Sequence, residues 1–163
     1  MPRGRPYVDI GQLSRNIRPL EMSDLDHVLE IERGGYSHPW SERVFRDCFR
    51  PDYRLWAHTE IGELQAYAVV AHLFDEAHLL NFCVGRAHRN SGVGRQLLRF
   101  LVRAAFHEGM VRLILEVRRS NEPAIALYES EGFQMIGERP GYYPGVQQRE
   151  DALVFALDSM KEH

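Results

Sequence analysis

The chain has 163 residues, 44% of them apolar and 26% charged, which fits one ordinary globular domain large enough for a proper core. A net charge of -3 argues against a generic nucleic-acid binder, and no apolar run approaches the length that crosses a bilayer. The two cysteines, Cys48 and Cys83, make no disulfide framework and fit a reducing cytoplasm.

The start, Met1-Pro2-Arg3-Gly4-Arg5-Pro6, is basic, but no hydrophobic segment follows as in a secretory signal. Residues 1–15 are predicted as a flexible leader and residues 16–163 as a single domain. Asn16 to Pro19 reads as a short first strand. Ser23 can cap a helix, with Asp26 three residues on as its partner. Leu25, Val28, Leu29 and Ile31 give that helix an apolar face, and Gly34-Gly35 are expected to stop it. Ser41 can cap a second helix carrying Val44, Phe45 and Phe49. Between the two lies Tyr36-Ser37-His38-Pro39-Trp40, a loop with two aromatics.

Strands are predicted at Leu55 to Glu60 and Leu64 to Val70, with Ile61-Gly62-Glu63 as the hairpin signal. Ala77 to Val84 has few polar residues and is expected to be buried on both faces. A helix follows from Gly92 to Glu108, its apolar stripe made by Val93, Leu97, Leu98, Leu101, Val102 and Ala105. Val111 to Val117 is the next strand. Ser120 or Asn121 caps a short helix through Glu131, ended by Gly132. Phe133 to Glu138 and Asp151 to Leu157 complete the strands, joined by a loop rich in Gly, Pro and Tyr. This order predicts a mixed α/β sheet with helices on both faces.

The loop Arg89-Asn90-Ser91-Gly92-Val93-Gly94 sits between an apolar strand and the most amphipathic helix. It reads either as a tight turn or as an anion cradle. Free N–H groups and the positive end of the helix dipole favour a phosphate, and glycines let it approach the backbone. No Gly-Lys-Ser/Thr follows, so it is not a Walker loop, and the third glycine of a dinucleotide fingerprint is missing.

Glu116 lies in an otherwise apolar strand. A carboxylate there must be paired, hydrogen-bonded or open to a cavity. It reads as a general base or as a residue whose side chain merely reaches solvent. Tyr128 reads as core packing or as a phenolic proton donor. Asn121 is most simply a helix cap. Cys83 lacks a base partner and sits among apolar residues, which disfavours a covalent acyl-enzyme. The eight histidines show no ligand spacing, so no metal site is expected. Arg89, Arg95, Arg118 and Arg119 could meet phosphates or face solvent. Trp40, Tyr142 and Tyr143 are either lids over the core or recognition groups.

The Arg89-x-x-Gly92-x-Gly94 pattern at a strand-to-helix junction resembles the pyrophosphate loop of the GNAT acetyltransferases. Leu115-Glu116-Val117-Arg118-x-Ser120-Asn121, Ala124-Ile125-x-Leu127-Tyr128-Glu129-x-x-Gly132-Phe133, Tyr142-Tyr143-Pro144 and Arg149-Glu150-Asp151-Ala152 continue the likeness. With His38-Pro39-Trp40-Ser41 and Asp75-Glu76-Ala77, the chain is similar to the bacterial ribosomal-protein-alanine N-acetyltransferases of the RimI type. The likeness runs from about Asn16 to the C-terminus.

The resemblance implies a GNAT fold: an α/β domain with a mixed, mostly antiparallel central sheet, splayed parallel strands and helices on both faces. It implies acetyl-coenzyme A as cosubstrate, with the diphosphate on Asn90, Ser91, Gly92, Val93, Gly94 and Arg95. The backbone of Phe82, Cys83 and Val84 would pair with the pantetheine arm, and the Asn121 side chain would reach the coenzyme. Glu116 takes the place of the general base and Tyr128 that of the acid. Trp40, Tyr142 and Tyr143 fall at the peptide site. The implied partner is the N-terminal segment of a ribosomal protein, small-subunit protein eighteen, acetylated directly on its first alanine, with no nucleic acid or membrane engaged. The rivals are an acetyltransferase for a small amine such as a polyamine or aminoglycoside, and an acetyl-coenzyme A sensor without catalysis.

Overall fold

The structure, a computed structural model, describes residues 15–160. The predicted leader lies outside them except for Arg15. Among the described residues, seven strands form one sheet in the order β1-β2-β3-β4-β5-β7-β6. They are β1 (Ile17–Pro19), β2 (Tyr53–Glu60), β3 (Glu63–Leu73), β4 (Glu76–Val84), β5 (Arg112–Arg118), β6 (Gln134–Tyr143) and β7 (Glu150–Asp158). Four α-helices accompany them: α1 (Leu25–Gly35), α2 (Glu42–Asp47), α3 (Val93–His107) and α4 (Glu122–Ser130). Only β4 and β5 run parallel; every other neighbouring pair is antiparallel.

The sheet has a core on each face. On one, α3 and α4 bury Leu97, Leu98, Leu101 and Tyr128 against Ala66, Ala68, Leu113, Leu115 and Phe155. On the other, α1 and α2 bury Leu25, Val28, Leu29 and Phe45 against Leu55, Tyr67, Val69 and Cys83. Each fully buried leucine contributes about 1.5–3 kcal/mol to holding these layers together. The α3 stripe comes out as the periodicity requires, except that Val102 is only half-buried.

Three local expectations are corrected. The first helix is not capped by Ser23 with Asp26. A 3-10 turn, Met22–Asp24, precedes it, and Glu21 and Asp24 cap that turn reciprocally. Asp24 is held there because Arg18 of β1 donates to both of its oxygens, at 2.7 and 2.8 Å. Nor do Gly34-Gly35 stop α1. The helix runs through Gly35 and ends where Tyr36 turns extended.

The third correction concerns β4, which is not buried on both faces. Its residues alternate between buried and more open along the whole strand, but the face that the buried ones point to switches at Leu80. Val69 pairs with Asn81 while Val70 pairs with Leu79, so Leu80 is a β-bulge. Ala77 and Leu79 therefore face α3, whereas Asn81 and Cys83 face α1. One extra residue has moved the rest of the strand to the opposite parity.

Gly35 shows how closely α1 lies on this part of β4. A β-carbon at Gly35 would fall 2.7 Å from Cys83 Sγ. Gly35→Ala is therefore expected to destabilise the protein by about 1–3 kcal/mol through overpacking, despite alanine's better helix propensity. Adding Cys83→Ala removes the clashing sulfur and should restore most of the loss. Denaturant unfolding of both single variants and the double variant tests this coupling; strictly additive effects would refute it.

Candidate active site

The parallel pairing of β4 with β5 runs only from Glu76 opposite Arg112 to Leu79 opposite Leu115. Beyond that point β5 continues to pair with β7 as far as Arg118, while β4 carries on beside β3. A cleft therefore opens between the ends of β4 and β5. Phe82, Cys83 and Val84 form its β4 side, and Glu116 stands on its β5 side. The splayed parallel strands expected from the sequence are present.

The glycine loop lies at the mouth of this cleft. Asn90 and Gly92 both have positive φ, 60° and 87°, and Gly92 is the N-cap of α3. Gly94 lies in the first turn, where a β-carbon would fall 3.3 Å from Val84 Cγ2. The helix start thus rests directly on the end of β4. Ser91 Oγ donates to the His88 carbonyl and tightens the loop. Among the described residues, no N–H from Asn90 to Arg95 donates to the main chain outside the helix or to a side chain. Those donors, with the helix dipole, are the chemistry that suits an anion. A groove of about 510 Å³ borders it, lined by Asn16, His58, Ser91, Gly92, Gln96 and Arg99 among others.

The arginine side chains named from the sequence have other partners. Arg95 donates to Glu131 at 2.6 Å and to Ser130 at 2.9 Å, so only its N–H faces the loop. Arg89 reaches the Val84 carbonyl at 3.3 Å. Arg118 pairs with Glu150 at 3.2 Å and lies 4.5 Å over the Tyr143 ring. Arg119 pairs with Glu138 and Asp151.

Glu116 is half-buried, with 21% of its side chain exposed, and pairs with Arg139 at 3.2 Å. It therefore neither sits unpaired in the core nor projects freely into water. Arg139 also lies 5.5 Å over the ring of Tyr142, whose own ring meets Tyr143 edge-on at 4.9 Å. The carboxylate acts on both phenols. Burial first, then the charge of Glu116, pushes Tyr143 up to about 12 and raises Tyr142 as well. These groups come from two strands, β5 and β6, and the register of each on β7 between them brings them together.

Tyr128 is buried, and its ring lies 6.4 Å from Phe82 and 5.8 Å from Phe133. Burial drives its phenol well above the ordinary value, with Tyr143 adding to the shift, so it holds its proton. No group among the described residues hydrogen-bonds to its hydroxyl. Asn121 caps α4, its Oδ1 accepting from the Ala124 N–H at 3.3 Å. Cys83 is a buried thiol pushed up to about 11 by burial and then by Glu32, which leaves it a poor nucleophile. Trp40 packs on Phe45 at 5.3 Å, on the α1 face; among the described residues no ring contact joins it to Tyr142 or Tyr143.

Three residues of the site escaped the sequence reading. Tyr36 donates its hydroxyl to the Phe82 carbonyl at 2.6 Å, inside the cleft. Glu32 is 1% exposed beneath the Trp40 loop. Its signal was available: with Leu25, Val28 and Leu29 it completes the buried stripe of α1, where a carboxylate is out of place. Arg139 had no signal, because only pairing across β7 brings it near Glu116. No cluster of three or more His, Cys, Asp or Glu among the described residues could hold a metal ion. No helix among them is long and apolar enough to cross a membrane.

The chain is matched by the model of the Acetyltransferase (GNAT) family over residues 22–133. It is 40% identical over 141 residues to the [ribosomal protein bS18]-alanine N-acetyltransferase of Escherichia coli K12, covering 86% of this chain and 95% of that one. A putative enzyme of the same description from Bacillus subtilis is 33% identical over 140 residues, covering 85% and 91%. The crystal structure of the Escherichia coli ribosomal-protein-S18-alanine N-acetyltransferase superposes with a TM-score of 0.85 at 39% identity, over 90% of this chain and 95% of that one. A spermidine N-acetyltransferase chimera from Vibrio cholerae and hSSAT reaches a TM-score of 0.79 at 17% identity, over 87% and 93%, and shares the fold alone. The family model's match over most of the chain and the likeness to full-length relatives, on a fold with splayed parallel strands, make the chain a member of the GNAT acetyltransferase family.

Proposed function

We propose that this chain is a cytoplasmic N-terminal protein acetyltransferase that acetylates the first alanine of ribosomal protein bS18. The observation that carries the substrate is the likeness to the Escherichia coli bS18-alanine enzyme, which covers 95% of that relative at 40% identity. The Trp40 loop lies within the residues that the family model matches. Members of the family use acetyl-coenzyme A, which supplies the acetyl group as a thioester.

The residues fit that cosubstrate. The loop from Asn90 to Arg95 would hold the diphosphate on its N–H groups. The edge of β4 at Phe82 to Val84 would take the pantetheine arm as a further strand takes a partner. Asn121, already a helix cap, would offer its side-chain nitrogen to the coenzyme. An α-amine has a pKa near 8 and is largely protonated at neutral pH. Glu116 would take its proton, directly or through water, and the amine would attack the thioester carbonyl. Tyr128, buried and protonated, would return a proton to the departing sulfur. The raised pKa of Cys83 supports direct transfer over a covalent acetyl-enzyme.

Glu116→Gln should retain coenzyme affinity by calorimetry and lose turnover by about 10²–10⁴-fold, the range of a positioned base. Near wild-type turnover at pH 7 would remove Glu116 from that role.

A side chain at Gly92 must adopt a left-handed conformation, at a cost of about 1–2 kcal/mol. Gly92→Val should therefore weaken acetyl-coenzyme A binding about tenfold or more, whereas Asn90→Ala should matter less. Titration calorimetry with both variants decides; unchanged affinity in Gly92→Val would end the diphosphate assignment.

For the substrate, kcat/KM is compared for a peptide beginning with alanine, the same peptide with a blocked N-terminus, and spermidine. The alanine peptide should win clearly, and Trp40→Ala or Tyr142→Ala should weaken its use while sparing coenzyme binding. Preference for spermidine would move the chain to the small-amine acetyltransferases.

A further inference from the structure

Glu32 presents an unusual arrangement: a carboxylate with 1% exposure and, among the described residues, no cation paired to it. A buried carboxylate persists only where donors replace its water. Glu32 has three. Its Oε1 accepts the Tyr67 hydroxyl from β3 and the Asn81 amide from β4, the latter at 2.8 Å. Its Oε2 accepts the main-chain N–H of Trp40 at 2.7 Å. Burial, followed by Cys83 and the Glu32 carboxylate, pushes the Tyr67 phenol far upward, so it remains a donor.

The three donors differ in what they hold. Tyr67 and Asn81 belong to the sheet and are stiff. Trp40 belongs to the loop between α1 and α2. Among the described residues, no other hydrogen bond reaches the main chain of residues 37–40. The indole then leans on Phe45 at 5.3 Å, and Phe45 stands edge-on to Tyr67 at 5.7 Å. One carboxylate therefore fixes the loop relative to the strand that bounds the cleft. Asn81 lies just past the last β4–β5 pair, and its buried Oδ1 has no partner. Its amide group is committed to Glu32, at the position the Leu80 bulge turned toward α1.

We propose that Glu32 is a positioning residue for peptide recognition: it sets the place of Trp40 beside the open end of β4. This rests on Trp40 being part of the peptide site, as proposed above. An amide offers one acceptor oxygen where the carboxylate offers two. In Glu32→Gln the side-chain NH2 must face either the two sheet donors or the Trp40 N–H. The loop is the partner free to move, so the loop loses its anchor.

The experiment uses the full chain carrying Trp56→Phe, which leaves Trp40 as its single indole. Glu32→Gln is expected to increase acrylamide quenching of Trp40. It should raise KM for the alanine-starting peptide about tenfold, the worth of one charge-assisted hydrogen bond. Turnover at saturating peptide and acetyl-coenzyme A affinity should stay as in the parent. An unchanged peptide KM overturns the proposal. So does a parallel loss of coenzyme affinity and turnover, which a merely structural role would produce. Should Glu32→Gln not fold, Glu32→Asp, which keeps the charge but is one methylene too short to reach both the sheet donors and the Trp40 N–H, is judged by the same readouts and must move them in the same direction. If the parent acetylates no α-amine peptide, the functional reading fails and the peptide role with it. Quenching of Trp40 then still reports whether Glu32 holds the loop.

Discussion

The cleft depends on the place where β4 stops pairing with β5. The parallel ladder ends at Leu79 and Leu115, and the next residue of β4, Leu80, is a bulge against β3. A bulge bends its strand and adds twist, which carries the end of β4 away from its parallel neighbour. Strand edges freed in this way carry unpaired N–H and C=O groups that need partners. Tyr36 serves one of them, the Phe82 carbonyl. The same bulge turns Asn81 and Cys83 to the α1 face, and Phe82 and Val84 to the face of α3 and Tyr128. A one-residue irregularity thereby makes the opening and decides which side chains line each side of it.

Two carboxylates stand on either side of this opening in opposite environments. Glu116 is partly open to water, beside a mobile-length arginine and two phenols. Glu32 is sealed and held by three donors without a cation. The first arrangement lets a carboxylate exchange partners, because water and Arg139 can replace one another at modest cost. The second does not, since losing any donor leaves a buried acceptor unsatisfied. The difference separates a group suited to proton transfer from one suited to holding a loop.

The helices owe their placement to the same logic. α3 brings its free N–H groups to the cleft because Gly94 lets its first turn lie on Val84. α1 reaches β4 closely because Gly35 leaves room for Cys83 Sγ. Both glycines sit where a helix meets the diverging strand.

Much of this was legible in the chain itself. The spacing of Val93, Leu97, Leu98 and Leu101 predicts α3, the glycines predict the turn that opens it, and Asn121 predicts a helix cap; these are properties of neighbours a few residues apart. The motif likeness around Arg89 to Gly94 and Tyr142 to Ala152 pointed to the family, which the full-length relatives bear out. The parity of β4, the partner of Glu116 and the anchor of Trp40 were not legible. A bulge leaves the apolar pattern of a strand almost unchanged while reversing its faces. Arg139 meets Glu116 only through two strand pairings with β7, and Glu32 meets Tyr67 and Asn81 only when α1 packs on the sheet. Local periodicity determined the elements and the loop chemistry; contacts between distant segments, which no local pattern encodes, decided how the carboxylates are held.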